Sequence, residues 1–143
     1  MYQKDYIMKM LEMLGEFVAG MMSFLKKGEF NRVNEMIEAA FTDFLKQDAA
    51  YFNNLPIEKL THHLLKEHNY SYGHLEVLAE LFNTQAELYY RQGKNEESLV
   101  FYEKALVVLQ FVVKESKTFS QEKENKVAQL QLKISDLREL EKK

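Results

Sequence analysis

Residues that break regular secondary structure are scarce in this sequence. Its 143 residues contain one proline, Pro56, and five glycines. An all-β fold needs frequent tight turns, and glycine and proline supply most of them. Hydrophobic residues make up 46% of the chain and charged residues 29%, which is typical of a folded domain and not of a disordered segment. The sequence therefore predicts an all-α fold.

Hydrophobic periodicity and helix-end signals divide the chain into five or six helices, arranged as a stack or bundle of antiparallel hairpins. Gly28 and Gly93 each end a helix, because glycine readily takes the left-handed conformation found there. Pro56 suits the first turn of a third helix that runs to about residue 67. The predicted parts of this single domain, residues 1–143, are a first helix pair (1–46), a degenerate middle segment (47–73), a second pair (74–115) and a C-terminal capping helix (119–143).

Serine residues precede two of the predicted helices. Ser71 and Ser120 are good N-caps, because a serine hydroxyl can accept a hydrogen bond from a free backbone N–H of the first turn. The helix after Ser120 is highly charged and carries a narrow apolar seam of Val127, Leu130, Ile134 and Leu137. It is too short for an independent coiled coil, so we expect the seam to cap the preceding helix pair.

Residues 82–106 contain the most informative motif. Large and small side chains alternate there at set intervals, namely Phe82, Ala86, Tyr89, Gly93, Ser98, Tyr102 and Ala105. Small residues let two antiparallel helices approach closely, and large residues fill the space between them. This run resembles a tetratricopeptide repeat over nearly its whole length. It departs from the repeat pattern at Gln85, Asn95 and Gln110.

A second run, residues 17–41, keeps the same intervals around Gly28, which lies about two repeat periods before Gly93. In tetratricopeptide folds the first helix of each pair lines a concave groove that takes a partner peptide or helix. The resemblance places five residues of the second pair in such a groove: Glu80, Asn83, Glu87, Tyr90 and Arg91. Two carboxylates, an amide and a tyrosine suit a basic or mixed peptide better than an acidic C-terminal tail. The alternative is an ordinary solvated helix face.

The N-terminal helix is apolar around most of its circumference, and six of the seven methionines lie in residues 1–22. A central core helix explains this composition. The alternative is a homodimer seam, because methionine adapts well to pliable interfaces; its candidate residues are Met8, Val18, Met22 and Leu25. The positions that would face a groove on the first pair include Gly15, Val18 and Met22, and their apolar character predicts that this part of the groove is filled.

All four histidines lie within residues 62–74. His63 and Glu67 are one helical turn apart, so they are candidates for a shared metal ion. The spacing from His63 to His68 matches no standard zinc motif, however, and a basic helix C-terminus is the simpler interpretation. No glycine-rich phosphate loop, nucleophile elbow or paired carboxylate set is present. We therefore expect no cofactor and no enzymatic activity, with a metal-dependent enzyme at the histidine cluster as the alternative.

Charge and composition argue against several partners. The formal net charge is −3 and there is no basic stripe, so we expect no nucleic-acid partner. The chain has no cysteine, which excludes disulfides and thiolate metal sites. Charged residues at Lys4, Asp5, Lys9, Glu12 and Glu16 interrupt the apolar run that a signal peptide or a spanning helix requires. The sequence predicts a cytoplasmic protein-interaction module that does not bind membranes.

Overall fold

Helices form almost all of the chain in a computed structural model that describes residues 2–117 and 119–142. The seven α-helices are α1 (Tyr2–Lys26), α2 (Phe30–Ala40), α3 (Ala49–Asn53), α4 (His62–Glu67), α5 (Tyr72–Arg91), α6 (Asn95–Glu115) and α7 (Gln121–Glu141). A π-helical turn, Phe41–Leu45, prolongs α2, and a 3₁₀ turn, Ile57–Lys59, precedes α4. The described residues contain no strand, so the all-α prediction is confirmed. None of their helices is long and apolar enough to span a membrane.

The middle segment differs from the prediction of one helix between Pro56 and residue 67. Pro56 instead leads into the 3₁₀ turn, and Thr61 has φ −122° and ψ −102°, which interrupts the helical path before α4. Leu60 and Leu64 lie on either side of this break, and both are fully buried. The short helix α3, which was not predicted, brings the number of α-helices among the described residues to seven, where five or six were predicted.

Helix α5 is the centre of the structure. Twelve of its 20 residues are buried, because α6 packs antiparallel along it while α1 and α2 contact another side. Helix α7 then packs on α6 through three buried residues, Leu130, Ile134 and Leu137. The prediction that the N-terminal helix is central is therefore wrong. Helix α1 lies at the outside and buries only one stripe, formed by Met10, Leu14, Met21 and Leu25.

Close contact between α5 and α6 depends on small side chains. Ala86, Ser98 and Ala105 are completely buried, and the Ser98 hydroxyl donates a hydrogen bond of 2.8 Å to the carbonyl oxygen of Ala86. That bond uses a helix carbonyl as an acceptor from the neighbouring helix, which requires the two backbones to lie close together. The role predicted for the small residues is thus confirmed.

The two glycine turns have the same hydrogen bonds. Gly28 and Gly93 both have φ +78°. After Gly28, the N–H of Glu29 donates to Phe24 O at 3.1 Å, and after Gly93, the N–H of Lys94 donates to Tyr89 O at 2.9 Å. Such bonds satisfy carbonyl groups that a helix C-terminus leaves free. Both predicted helix stops are confirmed.

Both serine caps also form as predicted. The Ser71 hydroxyl accepts from the N–H of His74, and the Ser120 hydroxyl accepts from the N–H of Lys123 at 3.3 Å. At the Ser71 cap, Gly73 is buried against the N-terminal half of α1. A Cβ atom added to Gly73 would collide with Ile7 Cγ2. Gly73 is therefore required for the close approach of α1 to the start of α5.

We expect Gly73→Ala to lower the free energy of unfolding by about 1–3 kcal/mol, because the new methyl group overpacks this contact. Gly15→Ala is the matched control. A Cβ at Gly15 has no atom within 4 Å, so this substitution should raise stability by about 0.5–1 kcal/mol through helix propensity. Urea unfolding in the wild-type and Ile7→Ala backgrounds measures both effects. An equal loss in the two backgrounds would exclude the Ile7 contact as the cause.

Candidate functional site

A groove lies between α1 and α7 with α5 as its floor, and we call it the α5 groove. Two cavities of about 260 and 270 Å³ adjoin along it and share Ala79, Glu80, Leu109 and Lys126. The lining combines an apolar wall from α1, a floor from α5 with one residue of α6, and a charged wall from α7. These residues are Leu11, Leu14, Gly15, Val18, Met22, Glu76, Ala79, Glu80, Asn83, Leu109, Glu122, Lys126, Gln129, Leu130 and Lys133.

Ion pairs join the groove floor to α7. Lys123 Nζ lies 3.5 Å from Glu76 Oε2, and Lys126 Nζ lies 3.2 Å from Glu80 Oε1. Lys126 also reaches Glu122 Oε1 at 3.4 Å. Burial alone would lower the pKa of Lys126, but the carboxylates of Glu80 and Glu122 raise it overall. These pairs hold positive charge from α7 beside the carboxylates of α5.

Glu87 is the most enclosed of these carboxylates, with 8% of its surface exposed. Its Oε1 atom accepts a hydrogen bond of 2.6 Å from the Tyr102 hydroxyl and a second from Lys133 Nζ. Burial, and then the hydrogen bond and charge of Glu87, raise the pKa of Tyr102. A carboxylate at this depth is unfavourable unless it is paired. Glu87 of α5 therefore links this helix to α6 through Tyr102 and to α7 through Lys133.

The five predicted groove residues do not all line the α5 groove. Glu80 and Asn83 line the groove, and Glu87 lies beneath Lys133. Tyr90 and Arg91 are exposed, and neither lines the two cavities. The carboxylates of Glu80 and Glu87 already pair with Lys126 and Lys133 of α7.

Asn83 supplies a free acceptor on the floor. Its Oδ1 atom is buried and has no hydrogen-bond partner among the described residues. Lining residues Glu80 and Lys133 belong to ion pairs, whereas the buried Asn83 oxygen has no partner in the described part of the chain. A donor that entered the groove could satisfy this atom, which is costly to leave unpaired when buried.

The α1 wall is open where the sequence predicts a filled groove. Gly15, Val18 and Met22 line the cavities, because α7 packs on α6 and leaves space opposite α1. A Cβ at Gly15 would meet nothing within 4 Å. The glycine therefore leaves a gap in the wall that the packing of this chain does not fill.

The four residues of the predicted dimer seam do not form one exposed surface. Leu25 is only 2% exposed and belongs to the hydrophobic core, so its assignment to a seam is wrong. Val18 and Met22 are half-buried and face the α5 groove. Met8 is 54% exposed. The sequence pattern does not distinguish core positions from groove or surface positions here, because α1 has several apolar faces and periodicity does not show which of them other helices cover.

Three of the four histidines, His62, His68 and His74, contact aromatic rings or a helix cap. His68 Nε2 lies 2.6 Å from the Tyr51 hydroxyl, and the His62 ring meets Phe111 edge-on with centroids 4.6 Å apart. The metal candidates His63 and Glu67 are half-buried and exposed, respectively. Within residues 2–117 and 119–142, no group of three or more His, Asp or Glu side chains could hold a metal ion.

A group of stacked aromatic rings that the sequence did not predict lies at the turn before α5. The Tyr70 ring stacks with the rings of His68 and His74, at centroid distances of 5.3 and 4.9 Å. The Tyr70 hydroxyl donates to the carbonyl oxygen of Leu45, and burial raises the pKa of Tyr70 to about 12. The sequence does show three ring-bearing residues close together, at positions 68, 70 and 74. Their spacing does not predict stacking, because the contacts depend on the conformation of the turn before α5.

Comparisons of the chain with protein-family models, curated proteins and solved structures found no match.

We expect acid to weaken the α5 cap. His74 Nδ1 accepts a hydrogen bond of 3.0 Å from the Ser71 N–H, and only a neutral imidazole has this acceptor. Burial lowers the pKa of His74, so below about pH 6.5 this residue binds more protons in the unfolded chain than in the folded chain. The free energy of unfolding should therefore fall as the pH drops from 7.5 through this range.

The measurement is urea unfolding at about pH 7.5 and pH 5. His74→Gln keeps a side-chain acceptor at this position of the capping box, so it should lose less stability on acidification than the wild type. His63→Gln is the matched control and should behave like the wild type. If wild type and His74→Gln lost the same free energy, His74 would not be the titrating group.

Proposed function

We propose that this chain is a non-enzymatic protein-interaction module that binds an amphipathic partner helix or peptide in the α5 groove. The observation that carries the proposal is the gap at Gly15. A glycine inside a helix destabilises it by about 0.5–1 kcal/mol relative to alanine, and no intramolecular contact at Gly15 requires it. A partner that approaches the α1 backbone accounts for the missing side chain.

The arrangement of the helices supports the interpretation of this groove as tetratricopeptide-like. Helices α1 and α5 each end at a left-handed glycine with the same turn hydrogen bonds, and each begins an antiparallel pair. The groove is bounded by α1, α5 and α7; α1 and α5 are the first members of the two helix pairs, and α7 follows the second pair. In tetratricopeptide folds these first helices line the concave, ligand-binding face.

The groove chemistry indicates what the partner would present. Leu11, Val18 and Met22 form an apolar wall, which suits a stripe of apolar side chains. On the α5 floor and the α7 wall, three carboxylates (Glu76, Glu80 and Glu122) line the cavities with two lysines (Lys126 and Lys133). A lysine or arginine of the partner would share these carboxylates, and a donor would satisfy Asn83 Oδ1. The expected ligand is therefore an amphipathic segment of mixed but weakly basic charge.

We also propose that the module acts in the cytoplasm. The chain lacks cysteine, so its fold does not depend on the oxidising environment that disulfides require. Its helices hold together through apolar packing and ion pairs among the described residues, which are equally effective in a reducing compartment.

Gly15→Leu should block the groove without disturbing the fold, because the new side chain extends into open space. The probe is a displayed library of amphipathic helical peptides, from which the wild type should select members with an apolar stripe and Lys or Arg opposite it. Gly15→Leu should bind these peptides at least about tenfold more weakly, equivalent to about 1.4 kcal/mol. Titration calorimetry with the selected peptides measures the change.

Glu16→Leu is the matched control, since Glu16 is exposed on α1 and does not line the groove. It adds the same side chain one position away and should leave the dissociation constant unchanged. Circular dichroism should show that both variants remain helical. The proposal fails if no peptide is selected, or if the selected peptides bind Gly15→Leu as tightly as the wild type.

A further inference from the structure

A second apolar surface lies on another side of α1, and we call it the α1 outer face. It surrounds a cleft of about 380 Å³ between α1 and the π-helical turn after α2, lined by Tyr6, Lys9, Met10, Met13, Phe17, Asp43 and Phe44. The α1 members recur at three- and four-residue steps, so they occupy one side of the helix. None of them lines the α5 groove, whose α1 residues are Leu11, Leu14, Gly15, Val18 and Met22.

This face combines a recess with protruding side chains. Tyr6 and Met13 are 54% and 52% exposed. Beside them, Phe17 and Phe44 meet edge-to-face with ring centroids 6.3 Å apart, and they form the apolar floor of the cleft. A surface that carries both exposed side chains and a recess can pair with a copy of itself, because a two-fold axis brings the side chains of each copy to the recess of the other.

The π-helical turn places the second wall of the cleft. Within Phe41–Leu45, Phe41 and Leu45 are buried in the core, whereas Asp43 and Phe44 line the cleft. Single π-helical turns are rare and are often found at functional sites. Here the turn supplies both the aromatic floor and the one acidic group of this surface.

The two charges at the cleft are complementary to each other. Lys9 lies on the α1 side and Asp43 on the opposite side, and both are exposed. Neither forms an ion pair with another described residue. In a two-fold pair, Lys9 of each copy would meet Asp43 of the other, so the same contact would form twice.

The opposite end of the helix stack is covered differently. Helix α7 docks on α6 through Leu130, Ile134 and Leu137 and turns mostly polar and charged residues outward. Stacks of helix pairs need such a polar terminal face for solubility. The α1 outer face is apolar instead, and none of the described elements covers Tyr6 or Met13. An exposed apolar surface with charged residues beside it is typical of an interaction site.

We propose that a second copy of this chain covers the α1 outer face in a two-fold symmetric dimer. Tyr6 and Met13 of each copy occupy the cleft of the other, with the Lys9–Asp43 contacts at both ends. This interface goes beyond the proposed peptide groove and leaves it open. It also differs from the seam of Met8, Val18, Met22 and Leu25, three of which face the groove or the core.

The first test is the mass of the full chain in solution, measured by light scattering and sedimentation equilibrium up to about 100 μM. The wild type should be a dimer, and Met13→Glu should be a monomer with unchanged helix content. Gly15→Leu should remain dimeric, because the groove is separate from the interface. A monomeric wild type, or a dimer that persists in Met13→Glu, would overturn the proposal.

A charge exchange tests the proposed geometry. Lys9→Asp and Asp43→Lys each place like charges at both ends of the interface, so each should raise the dimer dissociation constant by at least about tenfold. An equimolar mixture of the two variants should form a heterodimer. The two introduced side chains then pair with each other at one end, and the original Lys9–Asp43 contact forms at the other. The doubly substituted chain should dimerise with itself, because both of its contacts are opposite-charge pairs in reversed order.

Glu12→Lys is the control for a charge change elsewhere on α1, since Glu12 is exposed and does not line the cleft. It should leave the dissociation constant unchanged. If the mixture and the double variant associated no better than the single variants, the two-fold pairing of Lys9 with Asp43 would be excluded. This outcome would leave the result for the peptide groove unaffected, because Lys9 and Asp43 do not line it.

Discussion

The close packing of α5 against α6 is the contact on which the other helices depend. Ala86, Ser98 and Ala105 leave room for it, and the Ser98 hydroxyl bonds directly to a carbonyl of α5. A larger side chain at any of these positions would separate the helices, since cores do not absorb added volume easily. Helix α5 then supplies the surface on which α1 and α2 pack, and α6 supplies the surface for α7.

Helix α7 determines the electrostatics of the groove as well as its shape. Its lysines pair with carboxylates of α5, and Lys133 shares the enclosed Glu87 with Tyr102. A carboxylate buried to this extent requires such partners. The same contacts leave Asn83 Oδ1 without a hydrogen bond and leave the apolar wall of α1 open. Recognition in this groove would therefore rest on apolar complementarity, with charge setting the orientation of the ligand.

Helix α1 presents three surfaces with different roles. One stripe, including Leu14 and Met21, belongs to the core; a second lines the α5 groove; a third, with Tyr6 and Met13, faces outward. This division explains a helix that is apolar around most of its circumference, a pattern from which a single central core helix was predicted. Periodicity identifies the apolar residues, but it does not show which of them the other helices cover.

The sequence by itself determined the helix ends at Gly28 and Gly93, the serine caps and the small residues of the α5–α6 hairpin. These features depend on backbone conformation and on contacts within one or two turns, as at Gly28, Gly93 and Ser71. Only the tertiary structure decided that α5 is central, that Lys126 meets Glu80, and that Gly15 borders an open groove. Those properties follow from the relative positions of helices that are far apart in the sequence. Charged residues that pair across helices have the same local pattern as charged residues exposed to solvent.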